Sequence, residues 1–141
     1  MKRYEFVEHT ADVAVWVYGG SLKELFTSAG LAMFSVLVAK KKNKTKATLK
    51  EISFSKKAET LEDLLKAWLD ELLFYFSVQR LVLYRIKSFV CNENSLQAKI
   101  LFDTFDEEHY EAKAEIKAVT YHELKVEKIR NKWRAHIIFD V

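Results

Sequence analysis

The chain has a single cysteine, Cys91, among its 141 residues, and it has no long apolar run. One cysteine cannot form a disulfide within the chain, so a reducing, cytoplasmic location is expected. No apolar stretch approaches the length of about 20 residues that a membrane-spanning helix needs. The sequence therefore predicts a soluble intracellular protein that does not contact a membrane.

The chain also has little net charge. Its 23 Lys and Arg residues and 20 Asp and Glu residues leave +3, which does not by itself mark a nucleic-acid-binding protein. The distribution is uneven, because residues 40 to 57 hold eight lysines and one acid, Glu51. The Lys40–Lys46 loop could hold a phosphate backbone or an acidic partner, although a lysine run without interleaved aromatic residues is more often a solvated loop.

Common catalytic motifs are missing as well. The sequence contains no P-loop, no nucleophile elbow, no metalloprotease helix motif and no Cys-x-x-Cys pair. The four histidines, His9, His109, His122 and His136, fall in different predicted elements and match no zinc-site spacing. Cys91 lies in a predicted turn without a neighbouring histidine, which favours a surface thiol over a nucleophile.

Hydrophobic periodicity predicts two helices. Ser21 and Glu24 form a capping box before a helix over about 21 to 38. Thr60 and Asp63 begin a second helix, whose broad apolar stripe ends near Ser77.

The remaining segments show strand patterns. Strands are expected over 11–18, 80–90, 95–103, 110–127 and 133–140, and the strand from 110 to 127 is expected to be continuous. One further strand begins at Ala47 and Leu49, with a bulge near Lys50 and Glu51. The resulting order is β-α-β-α-β-β-β-β. It predicts one α+β domain over 1–141, with a mixed, mostly antiparallel sheet and two helices.

Acidic groups lie near both ends of the sequence, next to predicted strands. Asp12 lies at the entrance of an apolar strand, and Asp140 is followed by Val141 with its α-carboxylate. If the first and last strands are neighbours, three anionic oxygen groups meet at one edge, and oxygen ligands select Ca²⁺, Mg²⁺ or Mn²⁺ over zinc. The alternative is that Asp12 caps a turn and Asp140 is solvated.

Four segments together resemble the archease family over nearly the whole chain. They are HTADVAVWVYGGSLKELFTSAGLAMFSVL (9–37), LLKAWLDELLF (64–74), EIKAVTYHELKV (115–126) and WRAHIIFDV (133–141). The resemblance implies a non-enzymatic accessory protein of an RtcB-type RNA ligase in tRNA splicing. Such a protein promotes guanylylation and multiple turnover of the ligase and broadens its use of nucleoside triphosphates, and it meets tRNA indirectly, through the ligase.

The resemblance also implies a site. It places a divalent cation, preferentially Ca²⁺ but also Mg²⁺ or Mn²⁺, on Asp12, Asp140 and Val141. His9 and Lys117 become candidates for contact with the ligase or its nucleotide. No catalytic residue is expected. The sequence departs from the family pattern at Phe102 and Asp103, so no role is carried over to Asp103 or to His109.

Two other functions compete with this one. An RNA- or protein-binding module would use the Lys40–Lys46 loop, with the carboxylates in structural roles. A stand-alone metal-dependent phosphoester hydrolase would turn over substrate without any ligase, although the chain lacks an organised set of acid and base residues.

Overall fold

A computed structural model describes residues 2–7 and 12–141, which form two helices and ten strands. The helices are α1 (Leu22–Leu37) and α2 (Leu61–Gln79). The strands are β1 (Tyr4–Val7), β2 (Val13–Gly19), β3 (Val38–Lys40), β4 (Leu49–Lys57), β5 (Leu81–Cys91), β6 (Ser95–Thr104), β7 (Tyr110–Ala112), β8 (Ala118–Val119), β9 (Lys125–Ile129) and β10 (Lys132–Asp140). The α+β class and the element order predicted from the sequence are confirmed.

The strands belong to three sheets rather than one. The largest has the order β1-β2-β10-β8, with β9 also pairing with β10. A second sheet has the order β4-β6-β5, and β3 pairs with β7. Every pairing between the described strands is antiparallel. Strand β2 lies between β1 and β10, so the first long strand is central, as its apolar sequence predicts.

Both helices begin at the predicted caps. The Ser21 hydroxyl accepts a hydrogen bond from the Glu24 main-chain N–H at 3.2 Å, and Gly20 N–H donates to the Glu24 carboxylate at 2.6 Å. Thr60 caps α2 in the same way by accepting from Asp63 N–H. These bonds satisfy main-chain donors that the first helical turn leaves unpaired.

The hydrophobic core lies where the helices meet the two larger sheets. Helix α1 contacts β2 and β10 of one sheet and β5 of the other, while α2 contacts β4, β5, β8 and β9. Trp68 of α2 is fully buried, and its indole N–H donates to the carbonyl of Phe26 in α1 at 2.9 Å. Because each helix touches both sheets, apolar side chains are needed on a wide face of each.

Two sequence predictions about strands are wrong. The expected strand from 110 to 127 is three short strands, because β7 pairs with β3 while β8 and β9 pair with β10. The expected bulge near Lys50 and Glu51 is absent from the described β4–β6 pairing, which runs in one register; the irregularities lie in β5. The apparent slip arose because Leu49 is exposed and does not belong to the core pattern.

Candidate functional site

The pairing of β2 with β10 brings the two predicted acidic ligands to the same end of the sheet. Val13 pairs with Phe139 in this antiparallel register. Asp12 immediately precedes Val13, and Asp140 immediately follows Phe139. Both aspartates are half-buried. The first and last long strands are therefore neighbours, which is the condition under which the sequence predicted a cluster of carboxylates.

Lys117 and Val141 lie at this same end. The main-chain N–H of Lys117 donates to the Asp140 carbonyl at 2.7 Å, and Ala118 pairs with Asp140 in the β8–β10 ladder. Lys117 is exposed, and Val141 follows Asp140 at the surface. The remaining candidate, His9, lies outside the described residues. We call Asp12, Lys117, Asp140 and Val141 the acidic edge.

Asp140 is on the side of the sheet that faces away from the helices. Ile137 and Phe139 belong to the main core, so the alternation of a strand places Ile138 and Asp140 on the opposite face. Ile138 pairs with Ala14, and both are buried although they lie outside the main core. The Asp140 carboxylate therefore lies on the face of the sheet where Ala14 and Ile138 form a small, buried apolar patch.

The donor set of the acidic edge suits a hard divalent cation. Two aspartate carboxylates and the main-chain oxygens of Val141 are oxygen ligands, which Ca²⁺, Mg²⁺ and Mn²⁺ prefer. Two carboxylates held close together at such an edge would repel each other, and a cation between them would remove that cost. The residues present therefore fit the cation that the family resemblance implies.

A second polar cluster surrounds Asp103, one of the few buried polar residues in the described chain. Its carboxylate accepts hydrogen bonds from the Tyr110 hydroxyl at 2.6 Å, from the Lys44 ammonium at 3.1 Å and from the Thr48 main-chain N–H at 3.2 Å. Burial and the hydrogen bond to Asp103 raise the pKa of Tyr110 above its ordinary value. The phenol therefore stays protonated and remains a donor.

Asp106 extends this cluster toward the surface. Its carboxylate pairs with Lys44 at 2.8 Å and with Nδ1 of His109 at 2.7 Å. The hydrogen bond from Lys44 holds the pKa of Asp106 well below its usual range, and contacts with His109 act in the same direction. Burial alone would lower the pKa of Lys44, but hydrogen bonds to Asp106 and Asp103 raise it overall. Lys44 therefore bridges the Asp103 and Asp106 carboxylates.

The rest of the lysine-rich loop is held by the same acidic segment. Lys41 donates to the Glu107 carbonyl at 2.7 Å, and Lys42 pairs with Glu108 at 2.8 Å. Asp106, Glu108 and His109 offer ligand atoms within 4.8 Å of one another, yet the two carboxylates already neutralise loop lysines. The contacts assign this loop a structural role in fastening residues 41–44 to residues 103–109.

The sequence identified the acidic edge but missed the environment of Asp103. Alternation along β6 could not have revealed it, because Ile100 and Phe102 face the core and the pattern therefore places Asp103 on the opposite face, although Asp103 is 1% exposed in the structure. Such a buried acid needs a cationic partner from elsewhere in the chain. The lysine-rich loop, 59 residues earlier, supplies it.

Comparison with known proteins identifies a family for this chain. The model of the Archease protein family (MTH1598/TM1083) matches residues 4–141. Protein archease of Methanosarcina acetivorans is 36% identical over 144 residues, which cover 99% of this chain and 97% of that protein.

Within the described residues, neither helix is long and apolar enough to cross a membrane.

Solved structures show the same fold. The solution structure of protein 1598 from Methanobacterium thermoautotrophicum matches with a TM-score of 0.77 at 29% identity and covers all of both chains. The crystal structure of an archease from Thermotoga maritima, described as a possible chaperone, matches with a TM-score of 0.68 at 25% identity and covers 96% of this chain and 94% of that one. The chain belongs to the archease family.

Proposed function

We propose that this protein is a non-enzymatic, cytoplasmic activator of an RtcB-type RNA ligase in tRNA splicing. It promotes guanylylation of the ligase, allows multiple turnover and broadens the nucleoside triphosphates that the ligase accepts. The protein meets tRNA in its complex with the ligase. The observation that carries the proposal is the meeting of Asp12 and Asp140 at one end of the β2–β10 pair.

The acidic edge has the features of a surface that works on another protein's active site. Asp12 and Asp140 lie at strand ends, and the exposed Lys117 and Val141 beside them can be reached by a partner. The main-chain hydrogen bond from Lys117 to Asp140 fixes the local main chain. Asp12, Asp140 and Val141 would hold the divalent cation. When bound, that cation would supply positive charge for phosphate oxygens. The exposed Lys117 stands beside it as a candidate for contact with the ligase or its nucleotide.

The guanylylation step that this protein would promote in the ligase is chemically simple. A ring nitrogen of the ligase histidine attacks the α-phosphorus of GTP, a bond to guanosine monophosphate forms, and pyrophosphate leaves. Such reactions depend on positioning and charge stabilisation more than on covalent chemistry by the protein. An accessory protein that presents an acidic strand end fits that requirement.

The rival function based on the lysine-rich loop has less support. Lys41, Lys42 and Lys44 are occupied by acceptors of the same chain, so few of these charges are available for phosphate. A free-standing hydrolase would need a nucleophile or a base beside the acidic edge. The described cluster of Asp106, Glu108 and His109 is instead held by lysines.

The test is transfer of radiolabelled guanosine monophosphate from GTP to the ligase, with and without this protein. We expect faster labelling when the protein is present. Equal labelling with and without it contradicts the proposal. Release of phosphate from RNA ends by the protein alone would favour the hydrolase.

A further inference from the structure

The β9–β10 hairpin, residues 125–134, carries a local excess of positive charge. It contains five cationic side chains and a single carboxylate, Glu127. The whole chain has a net charge of only +3, so the remainder is slightly acidic. The cationic residues are Lys125, Lys128, Arg130, Lys132 and Arg134.

Glu127 balances only part of this charge. Its carboxylate accepts from Arg134 at 2.6 Å and from Lys125 at 3.1 Å. The Arg134 guanidinium also lies over the ring of Trp16, 4.7 Å from its centroid. Lys125 and Arg134 thus share one acid, and Arg134 is held in place by two contacts.

The positive charge at the tip of the hairpin has no acidic partner among the described residues. Arg130 and Lys132 are exposed, and neither forms an ion pair with any residue in the described part of the chain. Lys128 lies over the Trp133 ring, 5.6 Å from its centroid. The hairpin therefore presents three cations that have no acidic partner in the described part of the chain, in contrast to the lysine-rich loop, whose Lys42 and Lys44 are paired.

A surface cleft of about 600 Å³ lies at this tip. Arg130, Lys132 and Arg134 line it together with the aromatic rings of Tyr18 and Trp133. Cations interleaved with aromatic rings can contact phosphates and sugars or bases of one strand. Binding of an acidic protein would need the positive charges but not the aromatic rings, so the rings favour a nucleic acid as the partner.

The backbone of Arg130 adds an independent indication. Its φ is 59°, in the left-handed region, at the first position of the two-residue turn between β9 and β10. Glycine or asparagine is favoured there, and other residues are strained. An arginine at a strained position, with no ion pair to any of the described residues, points to a role for its side chain outside the fold.

We propose that this hairpin binds the phosphate backbone of single-stranded RNA. The choice of RNA among polyanions rests on the proposed function, because the ligase joins RNA. Arg134 and Asp140 are six residues apart on β10, which is about 20 Å along a strand. The hairpin can therefore hold RNA while the acidic edge is engaged with the ligase.

The experiment measures binding of a fluorescein-labelled oligouridylate by anisotropy at several salt concentrations, without ligase. The wild type is compared with a double variant, Arg130→Gln and Lys132→Gln. The matched control is Lys41→Gln with Lys42→Gln, which removes the same charge from the lysine-rich loop. We expect the hairpin variant to bind roughly tenfold more weakly and its salt slope to fall by about 1.4, or about 0.7 for each lost phosphate contact. The control should stay close to wild type.

A single variant, Arg130→Gly, separates binding from folding. It removes the side chain and the left-handed strain together, so RNA affinity should fall while the midpoint of urea unfolding is unchanged or higher. A loss of affinity accompanied by unfolding would contradict the role assigned to the side chain.

Three results would overturn the inference: no binding at low salt, equal losses in the hairpin and loop variants, or a hairpin variant that binds RNA normally but no longer stimulates the ligase. The last would show that the hairpin contacts the ligase protein. Since the binding assay contains no ligase, its failure leaves the proposed function standing. Normal RNA binding by the wild-type protein without any stimulation of the ligase overturns only the proposed function.

Discussion

The main-chain N–H of Lys117 donates a 2.7 Å hydrogen bond to the carbonyl of Asp140. This bond ties the irregular segment 113–117 to the last residue of β10, while Val13 pairs with Phe139 on the other side. Asp140 is thus flanked by the two chain segments that carry the other candidate residues. A site built this way depends on strand pairing, so its members come from distant parts of the sequence.

Divalent cations should stabilise the protein through the acidic edge. A ligand that binds only the folded state adds about 2.7 kcal/mol at a hundredfold excess over its Kd, which raises Tm by several degrees. We expect this rise for the wild type in calcium chloride and its loss in Asp140→Asn, measured by calorimetry. Asp70→Asn, at an exposed position of α2, is the matched control and should keep the rise. An equal rise in Asp140→Asn would place the cation elsewhere.

Removal of the Asp103 carboxylate should strongly destabilise the fold. Asp103→Ala leaves the buried Tyr110 hydroxyl without its acceptor and removes one of the two carboxylates that pair with Lys44. A buried donor left without a partner costs about 1–3 kcal/mol, and the lost contact with Lys44 adds to that cost. Urea unfolding should show this loss, whereas Glu51→Ala, which breaks an exposed pair with Lys87, should change the free energy of unfolding by less than about 1 kcal/mol. Similar losses in both variants would contradict the structural role of Asp103.

Acid should weaken the fold partly through Asp106. Its pKa in the folded protein is lowered, chiefly by the hydrogen bond from Lys44. The unfolded chain, with an ordinary aspartate pKa of about 3.9, therefore takes up the proton first as pH falls. The stabilisation is present above about pH 4 and is lost as pH falls toward the folded pKa. The free energy of unfolding should decrease more steeply in this range for the wild type than for Asp106→Asn, as measured by urea titrations. Parallel curves would show that Asp106 makes no such contribution.

Gly19 should tolerate no side chain. A Cβ built there would lie 2.3 Å from the main-chain nitrogen of Leu25, so the end of β2 and the start of α1 could not approach as they do. We expect Gly19→Ala to cost at least about 2 kcal/mol. The comparison is Gly30→Ala in α1, where the nearest atom is a Leu72 methyl at 3.2 Å and alanine favours the helix. Thermal unfolding of both variants tests the difference, and equal losses would contradict it.

Local patterns predicted the elements well, because caps and hydrophobic periodicity act within a few residues. The capping box at Ser21 and Glu24 and the cap at Thr60 begin their helices as predicted. The segment from 110 to 127 could not be read in the same way. Its alternation is real, but β7 and β8 pair with different strands, and the choice of partner depends on tertiary structure.

The candidate site likewise combines features that local sequence patterns predict with features that depend on tertiary structure. Asp12 and Asp140 were identifiable because acids next to apolar strands are unusual, and the pairing of β2 with β10 confirms that they share a sheet end. The role of the lysine-rich loop could not be predicted. Its charge excess is visible in the sequence, but the acids that neutralise Lys42 and Lys44 lie about sixty residues later, and only the fold brings them together.

The most direct test of the proposed function counts joined RNA molecules per ligase in a reaction with excess RNA and GTP. We predict many turnovers with the wild-type protein and with Asp70→Asn, and about one turnover without the protein or with folded Asp140→Asn. Many turnovers with Asp140→Asn would contradict the role of the acidic edge, and a single turnover with the wild type would contradict activation of the ligase.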